Sequence, residues 1–191
     1  MAQDAGELRV ARNGDLYVAP VGTAFPADPG ASPSADWIQL GLVSQDGVSF
    51  NRAITIEEFP VWQRRMPARR EISGEDVTLT AALAQWNATN FEFAFGGGQV
   101  VEVSPGIYRY DFPSGEEDLD ERALMLRWRD KGNSYQLGFD RGSVVEPVET
   151  SLNRTSLALL PISFKALAPE GEDLIGVSFL TDDPAFEPIG S

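Results

Sequence analysis

A chain of 191 residues, 42% hydrophobic and 23% charged, has the length of one domain and the composition of a globular protein, which excludes wholesale disorder. Its 29 acidic against 15 basic side chains leave a formal net charge of −14, which disfavours nucleic-acid binding by counterion release and docking on anionic membranes. Histidine and cysteine are absent, which removes Ser-His-Asp and Cys-His nucleophiles, disulfides, and zinc, haem or iron–sulfur sites built on those ligands.

The hydrophobic period along the chain is mostly two, which predicts strands. Leu16-Tyr17-Val18-Ala19 reads as a first strand, and Pro20 ends it. Residues 21–35 form a loop rich in Pro, Ala, Gly and Ser, whose Pro26, Pro29 and Pro33 cannot serve a central strand. Trp37 to Val43 predicts a second strand, Asp46-Gly47 a hairpin turn, and Val48 to Asn51 a third strand. Residues 52–75 break the pattern. Alternating Ile54-Thr55-Ile56-Glu57 runs into Phe59-Pro60-Val61-Trp62 and then Arg64, Arg65, Met66, Pro67, Arg69 and Arg70. Prolines and arginines at this density predict a long inter-strand loop, and its apolar residues predict burial against another chain.

Alternation returns from Asp76 to Leu83, followed by the one helix expected: Asn87 or Thr89 as N-cap, Asn90 to Phe95, and Gly96-Gly97-Gly98 as the stop. Gln99 to Val103 and Ile107 to Phe112 flank a Ser104-Pro105-Gly106 turn. An acidic loop, Gly115 to Glu121, leads into a strand from Ala123 to Trp128. Asp130-Lys131-Gly132-Asn133 predicts a further hairpin turn, with strands at Tyr135 to Phe139, Ser143 to Val148 and Thr155 to Lys165. Pro161 puts the last of these at an edge or bulge. Residues 1–169 are expected to form one domain, and residues 170–191, with one apolar piece from Leu174 to Leu180, a tail or arm. Short strands at even spacing with one short helix predict a mainly β fold, a sandwich or barrel. Met1 to Arg12 lacks the apolar stretch of a secretory signal, and no run approaches the ~18–20 apolar residues of a membrane span, so no targeting segment is expected.

The motifs that could carry chemistry have plainer readings. Gly96-Gly97-Gly98 trails a helix and lacks the Lys-Ser/Thr of a phosphate loop, so it reads as a helix stop. The acidic cluster Glu116, Glu117, Asp118, Asp120 and Glu121, like Glu170, Glu172 and Asp173, lacks the spacing of a calcium loop and reads as solvated. Trp37, Trp62, Trp86 and Trp128 could make a sugar platform but suit the core and interfaces of a sandwich. No pair of carboxylates is singled out for glycoside hydrolysis. No catalytic, cofactor-binding or metal residue is therefore assigned, no cofactor is expected, and the chain does not read as an enzyme. Arg64, Arg65, Arg69 and Arg70 are different: they invert the local sign in an acidic chain beside Phe59, Trp62 and Met66, and Trp with Arg is anchor chemistry at interfaces. The acidic residues Glu116, Glu117, Asp118, Asp120 and Glu121 are the densest candidate surface for them on a neighbouring copy.

The order of parts resembles the major tail tube protein of long-tailed, siphovirus-like bacteriophages. The resemblance rests on Gly14-Asp15-Leu16-Tyr17-Val18-Ala19-Pro20-Val21-Gly22-Thr23, the Pro-rich loop, and Trp37-Ile38-Gln39-Leu40-Gly41-Leu42-Val43-Ser44-Gln45-Asp46-Gly47-Val48. The Arg-containing excursion, the strand Asp76 to Leu83 and the short helix follow in the same order, so that it covers roughly residues 10–165. It implies a β-sandwich with one flanking helix and a structural role: hexameric rings that stack into a tube. The tube would house the tape measure protein and pass DNA without specific binding. Tail terminator and distal tail proteins are the further partners implied, with synthesis in the bacterial host cytoplasm and a final place in the virion. The alternative is a monomeric β-sandwich binding module, for carbohydrate or capsid decoration.

Overall fold

The computed structural model describes residues 5–114, 119–145, 148–171 and 175–188. Strands β7 (Arg122–Asp130) and β8 (Asn133–Val144) form its central hairpin. Lys131 (φ 50°) and Gly132 (φ 92°) make the two-residue turn, whose twist matches the flanking strands. Antiparallel β1 (Gly14–Pro20) lies on the outer edge of β7, with the short β2 (Ile38–Gln39) beyond it. On the opposite edge of β8, two strands sit in line. β9 (Leu160–Ala166) pairs with residues 142–144, and β10 (Val177–Thr181) with residues 135–139. β4 (Arg69–Leu83) joins β9 through residues 78–83, and β3 (Val43–Phe59) joins β4. These strands form one eight-stranded antiparallel sheet, while β5 (Gln99–Ser104) and β6 (Ile107–Asp111) make a separate hairpin. The fold is mainly β and sandwich-like, with one short helix, α1 (Ala88–Ala94).

Alternation decides what the sheet buries. Leu16, Val18, Leu79, Leu83, Leu124, Phe139, Ile162 and Phe164 close into one core, each such side chain contributing about 1.5–3 kcal/mol when fully buried. Phe139 and Phe164 meet edge to face at 5.7 Å. A smaller cluster of Ala19, Trp37, Ala123 and Met125 lies beside Phe25 of the Pro-rich loop, and the Trp37 indole donates to the Ala24 carbonyl at 3.1 Å. That role takes Trp37 out of the expected second strand, of which only Ile38–Gln39 forms β2 while Val43 opens β3.

The helix forms as its sequence predicts. The Asn87 side chain accepts from Asn90 N–H at 2.8 Å, and Gly96, Gly97 and Gly98 all have positive φ. Gly98 also permits a close approach: a Cβ there would fall 2.5 Å from the Asp111 carbonyl. Phe91 and Phe95 hold the β5–β6 hairpin through Tyr110 and Phe112. Buried Asn90 donates to the carbonyls of Leu40 (2.9 Å) and Gln85 (2.7 Å) and so ties α1 to the chain on either side of the β3–β4 pair.

Four strand boundaries differ from the pattern. Asp46-Gly47 does not turn the chain: it lies inside β3, where the register slips between Val43↔Leu83 and Val48↔Ala81. Gly47 has φ 75°, and the left-handed freedom that suits a hairpin turn serves an irregular bulge equally well. Ser143 continues β8 instead of opening a new strand. β9 begins only at Leu160, with Pro161 beyond the stretch that pairs with β8. Part of the expected tail, Val177–Thr181, is β10 and lies on the chain's own sheet.

Both ends of the described chain meet at the β7–β8 turn. Asp183 accepts from the Tyr135 hydroxyl (2.5 Å), Ala185 N–H (3.0 Å) and the Arg9 guanidinium (2.6 Å). The Tyr135 hydrogen bond first, then Ala185 and Arg9, holds the Asp183 carboxyl down to about 2. Burial pushes the Tyr135 phenol up.

Candidate assembly surface

From Ser49 to Phe59 every residue of β3 is exposed, as is β4 from Arg69 to Ser73. β9 pairs only with residues 78–83 of β4, so past that point β3 and β4 leave the sheet as a two-stranded ribbon. Residues 52–75 are therefore strand, and the loop they were expected to form shrinks to the tip at 60–68. At ~3.4 Å per residue, Arg52 to Phe59 spans about 24 Å. Directly paired residues share a face, so the register places Phe50, Ile54, Ile56 and Ile72 on the side that carries buried Leu79 and Val77 at the base. The core face of the sheet thus runs out into solvent as a row in which Phe50, Ile54, Ile56 and Ile72 alternate with the Arg52–Glu75 and Arg70–Glu58 pairs. An isolated ribbon is marginal in water. This one is rooted in the sheet and stapled by ion pairs Arg52–Glu75, Arg69–Glu71 and Arg70–Glu58, the last at 2.7 Å.

The tip closes by Ala68 N–H donating to the Phe59 carbonyl at 2.9 Å and Arg64 N–H to Val61 at 3.2 Å. Trp62 at its apex is 100% exposed, and Phe59, Val61 and Met66 are exposed around it. The four arginines divide. Arg69 and Arg70 pair within the ribbon, while Arg64 and Arg65 have no ion pair among the described residues. The acidic surface expected to receive them also divides. Asp120 pairs with Arg122 at 2.8 Å and Glu121 with Arg141 at 2.6 Å, both within their own chain. Glu116, Glu117 and Asp118 lie outside the described residues.

Where the ribbon leaves the body, the sandwich opens into a groove of about 1380 Å³ between the base of β3 and β10. Its walls are Val48, Phe50, Leu126, Trp128, Val177 and Phe179, with Arg12, Asp15, Leu42 and Arg52 also on the lining. Phe179 rests on Trp128 at 5.9 Å yet stays 45% exposed. An apolar mouth of this kind marks a place where something docks. Sequence reading did not find it: Val177 and Phe179 show as an apolar piece, but nothing local reveals which strand they join or that the ribbon peels away there.

The sequence profile of a family described as phage tail tube protein matches residues 1–190. The chain belongs to that family. Tail tube proteins are structural proteins of the virion tail and self-assemble into its tube, which gives an exposed apolar ribbon and an apolar groove a reason to exist in one subunit. No match was found among curated proteins. In this tail tube chain no group of three or more acidic residues could hold a metal ion among the described residues, and no described helix is long and apolar enough to cross a membrane.

Proposed function

We propose that this tail tube protein assembles as hexameric rings that stack into the tube, with the β3–β4 arm as a contact between copies. The observation that carries the arm's role is the fully exposed Trp62 at its tip, with Ile54, Ile56 and Ile72 exposed along the ribbon. Phe59, Trp62 and Met66 supply burial at that contact, Arg64 and Arg65 supply charge, and Arg69 and Arg70 stiffen the ribbon that presents them. The sixfold ring, the tape measure protein in the lumen, the tail terminator and distal tail partners, and DNA conduction are carried by the resemblance to long-tailed phage proteins. The net charge of −14 supports passage of DNA without trapping. The acidic residues 116–121 remain the proposed counter-surface to the arginines only through Glu116, Glu117 and Asp118, since Asp120 and Glu121 already have partners.

Replacement of residues 60–68 by Asn-Gly, which closes the ribbon with a two-residue turn, tests the arm. Size exclusion and negative-stain microscopy should show rings or tubes for the wild type and a folded monomer for the variant. A wild type that stays a stable monomer would favour the binding-module reading, and a variant that still forms tubes would remove the arm from the contact.

A further inference from the structure

We infer that the groove at the mouth of the sandwich is the socket for the arm tip of a second copy, with Trp62 as the inserted anchor. The inference rests on the arm acting between copies and names its receptor. The groove's volume, about 1380 Å³, and the apolar side chains on its walls suit a group of side chains. Pockets for small molecules run to ~300–1,000 Å³, so a segment of protein is the better occupant. The tip offers Phe59, Val61 and Met66, exposed around the fully exposed Trp62. Tryptophan is among the residues enriched as anchors in desolvated interface pockets.

The chain's own tip cannot occupy this socket. Arg52 lines the groove, and the register from Arg52↔Val77 to Phe59↔Arg69 carries the tip about 24 Å away along the paired ribbon. Plug and socket held apart on one subunit can meet only between subunits, in a head-to-tail contact that repeats from copy to copy. Arg12, Asp15 and Arg52 also line the groove, so burial of the tip, not charge complementarity, carries the contact.

The chain has no cysteine, so engineered thiols report one contact without background. The full-length double variant Gln63→Cys with Leu42→Cys, at the tip and on the groove lining, should give a ladder of disulfide-linked multimers on mild oxidation. Gln63→Cys with Tyr108→Cys, on the β5–β6 hairpin, should not. A ladder from the second pair and not the first, or tubes with no ladder from either, overturns the socket and leaves the arm's role standing. Tubes that survive replacement of residues 60–68 by Asn-Gly overturn the arm's role and the socket with it. Trp62→Ala should raise the protein concentration needed for tubes at least tenfold, with Trp62→Phe intermediate, and an unchanged threshold overturns Trp62 as the anchor.

Discussion

The body and the arm are made from the same two strands. In the body, residues 78–83 of β4 have β3 on one side, β9 on the other and the core beneath, and Leu79 and Leu83 are buried. In the arm, residues 69–73 keep β3 but lose the second neighbour, and every one of them is exposed. Composition shifts at that boundary, from residues 78–83 without a charged side chain to residues 69–73 with Arg69, Arg70 and Glu71. The number of partners changes with it and decides the fate of an apolar side chain: Leu79 is buried and Ile72 is exposed. The arm holds its shape for another purpose.

Truncation should separate the two regions most sharply. Phe139→Ala empties a site packed by Phe164 and should cost the monomer about 3–5 kcal/mol in denaturant unfolding. Ile56→Ala on the arm should move the same measurement by under about 0.5 kcal/mol while reducing tube formation. A body-sized loss at Ile56 would mean that the ribbon is packed in the free subunit. Asn90→Ala leaves the Leu40 and Gln85 carbonyls without their donor and should cost about 1–3 kcal/mol. It is a body effect, so the affinity of arm for socket should not change once the lost stability is allowed for.

Acid probes the far side of the body. The Asp183 carboxyl is held down to about 2 from an ordinary 3.8, so its contribution is complete above 3.8 and is lost as pH falls from there towards 2. Wild type and Asp183→Asn should therefore differ in unfolding free energy at neutral pH and converge across that window. An offset that does not depend on pH would show that packing, not the charge, ties the ends down. The smallest change is expected on the arm itself. Glu58→Gln breaks an exposed pair worth about 0.2–1 kcal/mol at most, and 1 M salt should erase the difference from wild type.

Sequence alone made the body more legible than the arm. Lys131-Gly132, the Asn87 cap and the triple glycine act through local backbone geometry, so their residues announce them. Asp46-Gly47 announces only that Gly47 takes a positive φ, and a turn and a bulge share that demand. Residues 52–75 read as loop because Arg52 and Glu58 share a face with the isoleucines and blur the alternation, and because Pro60 and Pro67, which cap the tip, look like breaks in a strand. Of the expected contact residues, Phe59, Trp62 and Met66 stand exposed together on the tip. The split of the arginines was not legible, because Arg70–Glu58 is a cross-strand pair set by register. The groove was least legible of all, since its walls come from β1, β3, β7, β8 and β10 at once.

The contact of Arg9 with Asp183 joins positions at opposite ends of the described chain. Packing around the β7–β8 turn therefore does not depend on where the backbone is cut. A circular permutant that links the two ends and opens at Pro105-Gly106, in the exposed β5–β6 turn, keeps every strand of the large sheet intact. New termini would then emerge at the turn of a hairpin that lies outside the large sheet, so a cargo fused there could be displayed without cutting the ribbon or the strands that wall the groove.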